Sequence, residues 1–329
     1  MDNENELLSF NGSRQVYRVL VMYYQDGRKQ SEIAAATGLS VTTVNRMIRQ
    51  GRESGMVEIT ITSPFLSAHQ LEKDLARAGG LSEAVVAPNV TRADDAELRV
   101  VGAAAAAFLL SRLRDGDVIA ITGGKGVSAL VEALAPARKY QVEVVPALGC
   151  VQGKHYTDVN HVASEMAARL GGRAWQIHAP LFADTPSQRE WLMGISGVDQ
   201  VLQKAREATL AVVGLGSIFS NSSSYYDLNL TAREASDSIE TSGARSELLA
   251  WLLDETGRPA RFADNQRLVG LTLPELQRIP FSFAVAAGSN KIDPIHCALR
   301  GGYLKGLVTD EATAAGVIDQ FGTSGGHHG

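Results

Sequence analysis

The chain has 329 residues, enough for two domains, and its 45% apolar and 20% charged content is ordinary soluble globular composition. No run of about 18 uncharged apolar residues occurs, which argues against a membrane-spanning helix. The opening MDNENELLSF is acidic without an apolar centre, so no secretory signal is expected there. Cys150 and Cys297 stand alone and outside any paired metal spacing, so reduced thiols and a cytoplasmic location are expected. The net charge of −5 is unevenly spread: residues 11–55 hold seven basic side chains against three acidic ones, while the rest is acidic. A small basic module on a large acidic body predicts that one end meets an anionic polymer.

In chain order, RQVYRVLVMYYQD (14–26) places Val16, Leu20 and Tyr23/Tyr24 at helical spacing, so an amphipathic helix is predicted. A second helix runs from Gln30 or Ser31 to Thr37, with Ile33 and Ala34 inward and Gly38 as its stop. Ser40 then caps a third helix, VTTVNRMIRQGRESG, with Val44, Met47 and Ile48 inward. MVEITITSP alternates as a strand does and ends at Pro64. This predicts a winged helix-turn-helix domain over residues 1–63, joined through a helix at Ser67–Ala78 to a second domain over 64–329.

In the second domain, strand-like runs fall at Ala84–Ala87, Val118–Thr122, Val142–Leu148, Trp175–Ala179, Leu210–Val213, Phe281–Ala287 and Leu304–Val308. Helical stretches between them, at Asp94–Arg114, Val127–Leu134, Val159–Leu170, Val198–Ala208, Ile292–Leu299 and Glu311–Ile318, imply an α/β fold. Its Rossmann-like sheet is mostly parallel and covered on both faces. Residues 217–245 are polar and read as a long loop with one or two helical pieces, and GTSGGHHG reads as a disordered tail.

A short helix, a tight turn and a Ser-capped second helix give 31–55 the form of a helix-turn-helix, whose second helix lies in a major groove. Its early exposed positions are Val41, Thr42, Thr43, Asn45 and Arg46. Asn and Arg make bidentate contacts to purine edges, and Thr offers a hydroxyl or a methyl. Gln30, Ser31, Arg28, Lys29, Arg49 and Arg52 suit phosphate contacts, so double-stranded operator DNA is the expected partner.

Four apolar runs end in small residues: ITGGKGVS (121–128), ALGCVQGK (147–154), VVGLGS (212–217) and AVAAGSNK (284–291). Ligands of open parallel sheets bind beyond the carboxyl ends of strands, where glycines expose backbone N–H groups and helix N-termini favour anions. Lys125 and Lys291 add cations. No P-loop, G-x-S-x-G elbow, HExxH motif or full dinucleotide fingerprint is present, so no catalytic set, metal or cofactor is expected. His155 and His161 need not share a helix face, and Cys150 reads as packing.

These segments together resemble the SorC family of bacterial transcriptional regulators, also called DeoR-like sugar-binding regulators, over nearly the whole chain. LSVTTVNRMIRQGRESGMVEITITSP is similar to the family's helix-turn-helix. RLVGLTLPELQRIPFSFAVAAGSNKIDPIHCALRGGYLKGLVTDEATAAGVI carries its C-terminal order, and VVGLGS, HAPL and ITGGKGV fall at matching places. The resemblance implies a fold of the sugar-phosphate isomerase and glucosamine-phosphate deaminase type used as a sensor, a homo-oligomer (dimer or tetramer), and a sugar, polyol or phosphate ester as effector. It matches Thr122, Gly123, Gly124, Lys125, Gly126, Gly288, Ser289 and Lys291 to positions holding the effector's anionic or polar end. It sets Glu247 where an aspartate is frequent, so the longer carboxylate alters hydroxyl selection. Gly149, Gln152 and Asp184 complete the expected effector set. The rival is a sugar-phosphate isomerase or deaminase carrying a DNA-binding module, with Asp158, Asp184, Glu247 and Asp293 as its candidate carboxylates.

Overall fold

The computed structural model describes residues 10–57, 66–89, 94–151, 154–218, 225 and 236–324. The chain divides into two compact units, Met1–Pro64 and Phe65–Gly329.

The first unit contains α1 (Phe10–Leu20), which widens into a π-helical turn over Val21–Gln25, then α2 (Gln30–Thr37) and α3 (Val41–Glu53). Val16, Val19 and Leu20 of α1 pack with Ile33 and Ala34 of α2 and Val44, Met47 and Ile48 of α3. The i, i+3, i+4 spacing in α1 and α3 is the reason each helix buries one stripe. Gly38 ends α2 in the left-handed region at φ 72. Ser40 starts α3 by accepting the Thr43 N–H at 3.1 Å. Tyr23 and Tyr24 pack against the edge of this core. In the π turn the Asp26 N–H reaches the Val21 carbonyl at 3.0 Å, and the inserted residue leaves Tyr23 and Tyr24 only half-buried. Of the expected strand over MVEITITSP, residues 58–64 lie outside the described residues.

The second unit begins with α4 (Leu66–Gly79), β1 (Glu83–Ala87), α5 (Asp94–Arg112), β2 (Val118–Ile121) and α6 (Lys125–Ala133). Then come β3 (Glu143–Pro146), α7 (Val159–Leu170), β4 (Arg173–Ala174), α8 (Pro186–Met193), α9 (Ser196–Arg206) and β5 (Leu210–Gly216). It closes with α10 (Ser236–Thr241), β6 (Ala244–Leu248), β7 (Trp251–Asp254), α11 (Leu273–Arg278), β8 (Phe281–Val285), α12 (Ile292–Arg300), β9 (Gly306–Asp310) and α13 (Glu311–Ser324). The sheet order is β1-β9-β8-β5-β2-β3-β4, parallel throughout. β6 pairs antiparallel with the end of β5, and β7 pairs antiparallel with β6. The central strands are buried on both faces, as the unbroken apolar run of β2 requires.

Three expectations are corrected. Trp175–Ala179 is not a strand: after β4, the Ile177 N–H and carbonyl both bond the Asn160 side chain, each at 2.9 Å, instead of a ladder. Within 217–245 one expected helical piece is α10, but Ala244 and Arg245 already belong to β6 and not to the loop. Gly322–Ser324 belong to α13 and not to a tail.

The close crossing of α5 over α6 gives a first prediction. A Cβ at Gly102 would lie 2.6 Å from the backbone carbonyl of Ala129, an immovable neighbour. Gly102→Ala is expected to destabilise by about 1–3 kcal/mol, overriding alanine's helix preference. Thermal unfolding measures this; an unchanged melting temperature would show that the helices separate at no cost.

Candidate functional site

A cleft of about 410 Å³ opens beyond the carboxyl ends of β2, β5 and β8. The chain runs from β2 outward through β3 and β4, then returns across β2 to β5 and continues to β8 and β9. The cleft therefore stands at the reversal of strand order, where open α/β sheets take ligands. Its lining comes from Thr122–Gly126, Gly214, Leu215 and Val285–Lys291, with Glu97 and Leu98 from α5, Leu148, Thr157, and Glu247 and Ala250 from the β6–β7 hairpin.

Two strand-to-helix junctions share one backbone conformation. Gly124 has φ 128 and ψ 152 ahead of α6, and Gly288 has φ 99 and ψ 153 ahead of the 3-10 turn that leads into α12. Only glycine holds that region without strain. Thr122 ties β2 to β5: its hydroxyl accepts the Gly214 N–H at 3.1 Å and donates to the Gly123 carbonyl at 3.0 Å. The Gly124 N–H bonds the Tyr156 carbonyl at 2.6 Å, and a Cβ at Gly126 would collide with the Val285 carbonyl. The Gly288 N–H donates to Asp310 Oδ2 at 2.9 Å and to Thr313 Oγ1 at 3.0 Å, so buried groups behind the cleft fix the second junction.

Besides Glu97 of α5, the cleft is lined by the ionisable side chains of Lys291, Glu247 and Lys125. Lys291 is half-buried, and its ammonium donates to the Leu215 carbonyl at 2.8 Å. Burial holds it below the ordinary lysine range; the Glu247 carboxylate opposes this and the Lys125 charge adds to it. Glu247 is 7% exposed, and its Oε1 accepts the Ala250 N–H at 2.5 Å. Burial pushes its carboxyl up to about 7, against the Ala250 N–H and Lys291. Gly216 leaves room for Glu247, because a Cβ there would collide with Oε2. Lys125 starts α6 exposed, its ammonium 5.8 Å from the Tyr156 ring centre.

The hairpin that delivers Glu247 turns on Leu249 and Ala250, at φ 54 and 60 and both buried. A two-residue turn between right-twisted strands requires positive φ at both positions, ordinarily met by Asn-Gly. Here packing of two apolar side chains imposes it, and such over-determined strain clusters at ligand sites.

Of the expected effector residues, Thr122, Gly123, Gly124, Lys125, Gly126, Glu247, Gly288, Ser289 and Lys291 come together in this cleft. Gly149 and Asp184 are not among its lining residues. Gly149 is packed under the Pro180–Leu181 backbone and bonds the Val269 carbonyl at 2.8 Å, so the end of β3 is covered. Asp184 is exposed, just before the Thr185 cap of α8. Gln152 lies outside the described residues. Glu97, Leu98, Thr157 and Ala250 were missed. Only their helix and loop positions place them, and no local motif marks them.

On the other unit, Thr42, Asn45, Arg46, Arg49 and Arg52 share one face of α3 and, with Gln30 and Tyr23, line a groove of about 520 Å³. Asn45 and Arg46 are exposed there. Ser40 and Thr43 bond each other at 2.8 Å, so the cap engages both hydroxyls. Ser31 is exposed on the first turn of α2. His155 and His161 rings lie 6.3 Å apart, and among the described residues no group of three His, Cys, Asp or Glu side chains forms a metal site.

Residues 63–319 match the domain family described as "Putative sugar-binding domain", and residues 14–54 match sigma-70, region 4. The transcriptional regulator LsrR of Klebsiella pneumoniae subsp. pneumoniae is 30% identical over 306 residues, 92% of each chain. LsrR of Escherichia coli K12 is 29% identical over 307 residues, covering 92% of this chain and 94% of that one. The crystal structure of the full-length sorbitol operon regulator SorC from Klebsiella pneumoniae superposes with a TM-score of 0.72 at 26% identity, covering 93% of this chain and 98% of that one. A helix-turn-helix with an open polar face, a ligand cleft at the sheet's reversal point and these likenesses along both units place the chain in the SorC family of sugar-binding transcriptional regulators.

Proposed function

We propose that the effector of this regulator is a sugar, a polyol or a phosphate ester of either, held in the cleft by the Gly124 and Gly288 junctions, Lys291 and Glu247. The observation that carries this reading is the pairing of glycine-opened backbone with one half-buried cation and one buried carboxyl in a single cleft. Backbone N–H groups and an ammonium suit an anion; a carboxyl suits hydroxyls. The genes controlled are those of carbohydrate uptake or catabolism, and the regulator acts in the cytoplasm as a dimer or tetramer. Effector binding favours one arrangement of the subunits and so alters operator affinity. Because the coupling is reciprocal, operator DNA changes effector affinity by the same factor.

No turnover is expected. Of the four carboxylates weighed for an isomerase or deaminase, only Glu247 lines the cleft. Asp158 caps α7 through the Asn160 N–H at 3.0 Å, Asp293 bonds Gln320, and Asp184 is exposed. A panel of sugars, polyols and phosphate esters tests the reading by thermal shift. One ligand class should raise the melting temperature, since a ligand at about 100 times its Kd adds about 2.7 kcal/mol. That ligand should also shift operator affinity and be recovered unchanged. A panel without any stabilising member, or consumption of the ligand, rejects the proposal.

Arg46→Ala is expected to weaken operator binding by about 1–3 kcal/mol and relax specificity at one base. Titration against labelled operator measures it, and equal affinity would remove Arg46 from the base-reading set.

A further inference from the structure

The two tyrosines of the π turn have no place in a plain helix-turn-helix. Their rings meet edge to face, centres 4.9 Å apart at 89°. Tyr24 reaches across to the last turn of α3, where its hydroxyl accepts the Arg52 Nε–H at 2.6 Å. Arg52 lines the same groove as Arg46 and Arg49, and Tyr23 lines it from the side of α1. A guanidinium has five N–H donors in a rigid fork. One bond at Nε fixes its plane and leaves the donors on Nη1 and Nη2. Arg52 stands ten residues beyond Thr42, which is about 15 Å along the helix axis. That is too far from the helix's leading end to share its base edges, and a backbone phosphate is the DNA group such a fork fits bidentately.

We propose that Tyr24, braced by Tyr23, is a positioning residue of the DNA interface that aims the Arg52 guanidinium at a phosphate. The π turn is thus a working part of the interface. An α-helical continuation would rotate both tyrosines away from their present contacts, because each residue turns an α-helix by about 100°. Pre-orientation matters because an exposed arginine otherwise loses rotamer freedom on binding. The inference rests on the DNA-binding reading and adds to it a residue outside the recognition helix.

The test uses the full-length protein and a labelled duplex recovered by repeated selection from a random-sequence pool, titrated between about 50 and 200 mM salt. Tyr24→Phe keeps the ring and removes the acceptor. It should weaken binding about five- to tenfold and flatten the plot of log affinity against log salt by up to about 0.9, one phosphate contact. Arg52→Ala should do the same, and the double variant should be no weaker than Arg52→Ala alone. Arg52→Gln, which keeps a donor for Tyr24 without the charge, should flatten the slope while leaving the melting temperature unchanged. This arm decides the matter if Tyr24→Phe unfolds. An unchanged slope with only a lower melting temperature would make the contact a structural tie and overturn the proposal, as would additive losses in the double variant. If no duplex is recovered with the wild type, the DNA-binding reading fails and this inference falls with it.

Discussion

Lys291→Met should lower affinity for a phosphorylated effector by about 2–4 kcal/mol, roughly thirtyfold to several hundredfold, while sparing an unphosphorylated analogue. The ammonium is half-buried, so the charge is less screened than at an open surface, and among the described residues its hydrogen-bond partner is the Leu215 carbonyl. An arriving anion would gain a charge-assisted bond beside the N–H groups that follow Gly124 and Gly288. Methionine keeps the unbranched stem, so the cleft keeps its shape. Calorimetry with the best ligand from the thermal-shift panel and its dephosphorylated form decides the point. Equal losses for both would mean that Lys291 maintains the cleft and does not read an anion.

Glu247→Gln should flatten the dependence of stability on pH in the unliganded protein. The carboxyl moves from its ordinary 4.5 up to about 7 on folding, and burial is the main cause. A raised native pKa means that the folded chain holds a proton the unfolded chain has released. The stability from this group is therefore complete below pH 4.5, declines as pH rises, and is gone above about 7, a span on the order of 3 kcal/mol. Glutamine keeps an acceptor for the Ala250 N–H and has nothing to titrate. Thermal melts between about pH 5 and pH 8 should show the wild type losing stability toward the alkaline side and the variant staying level over that interval. Parallel profiles would assign the titration to another group.

What could be read in advance follows from how local each signal is. Alternating apolar runs and helical stretches marked β2, β5, β8 and β9 because those strands are buried on both faces and need no partner to be recognised. Gly38 and Ser40 announced the turn of the helix-turn-helix for the same reason: a left-handed stop and a cap are single-residue devices. The β6–β7 hairpin was invisible because Leu249 and Ala250 carry no turn signature and are forced into positive φ by their surroundings. The apolar run after β4 looked like a strand, yet at its centre the Ile177 N–H and carbonyl are taken by the Asn160 side chain, a partner seventeen residues away. Likewise Gly149 ends a strand as the other junction glycines do, but the Pro180 segment crosses over it. The Thr-x-x-Gln box at Thr185 and Gln188 did announce α8 in the sequence and went unread. The π turn needs an inserted residue, and nothing in VMYYQ distinguishes it from one more turn of α-helix.

Gly124 and Gly288 restrict how this receptor can change its preferences. At φ 128 and 99, with ψ near the extended value, any side chain is strained whatever space surrounds it. The floor of the cleft is therefore closed to substitution at these two positions. If the cleft holds the effector as proposed, exchange of one carbohydrate for another has to be worked out on the walls, through residues such as Glu97, Leu98, Glu247 and Asn290. Selectivity engineering that leaves the two glycines alone and redraws those four positions has the scaffold on its side.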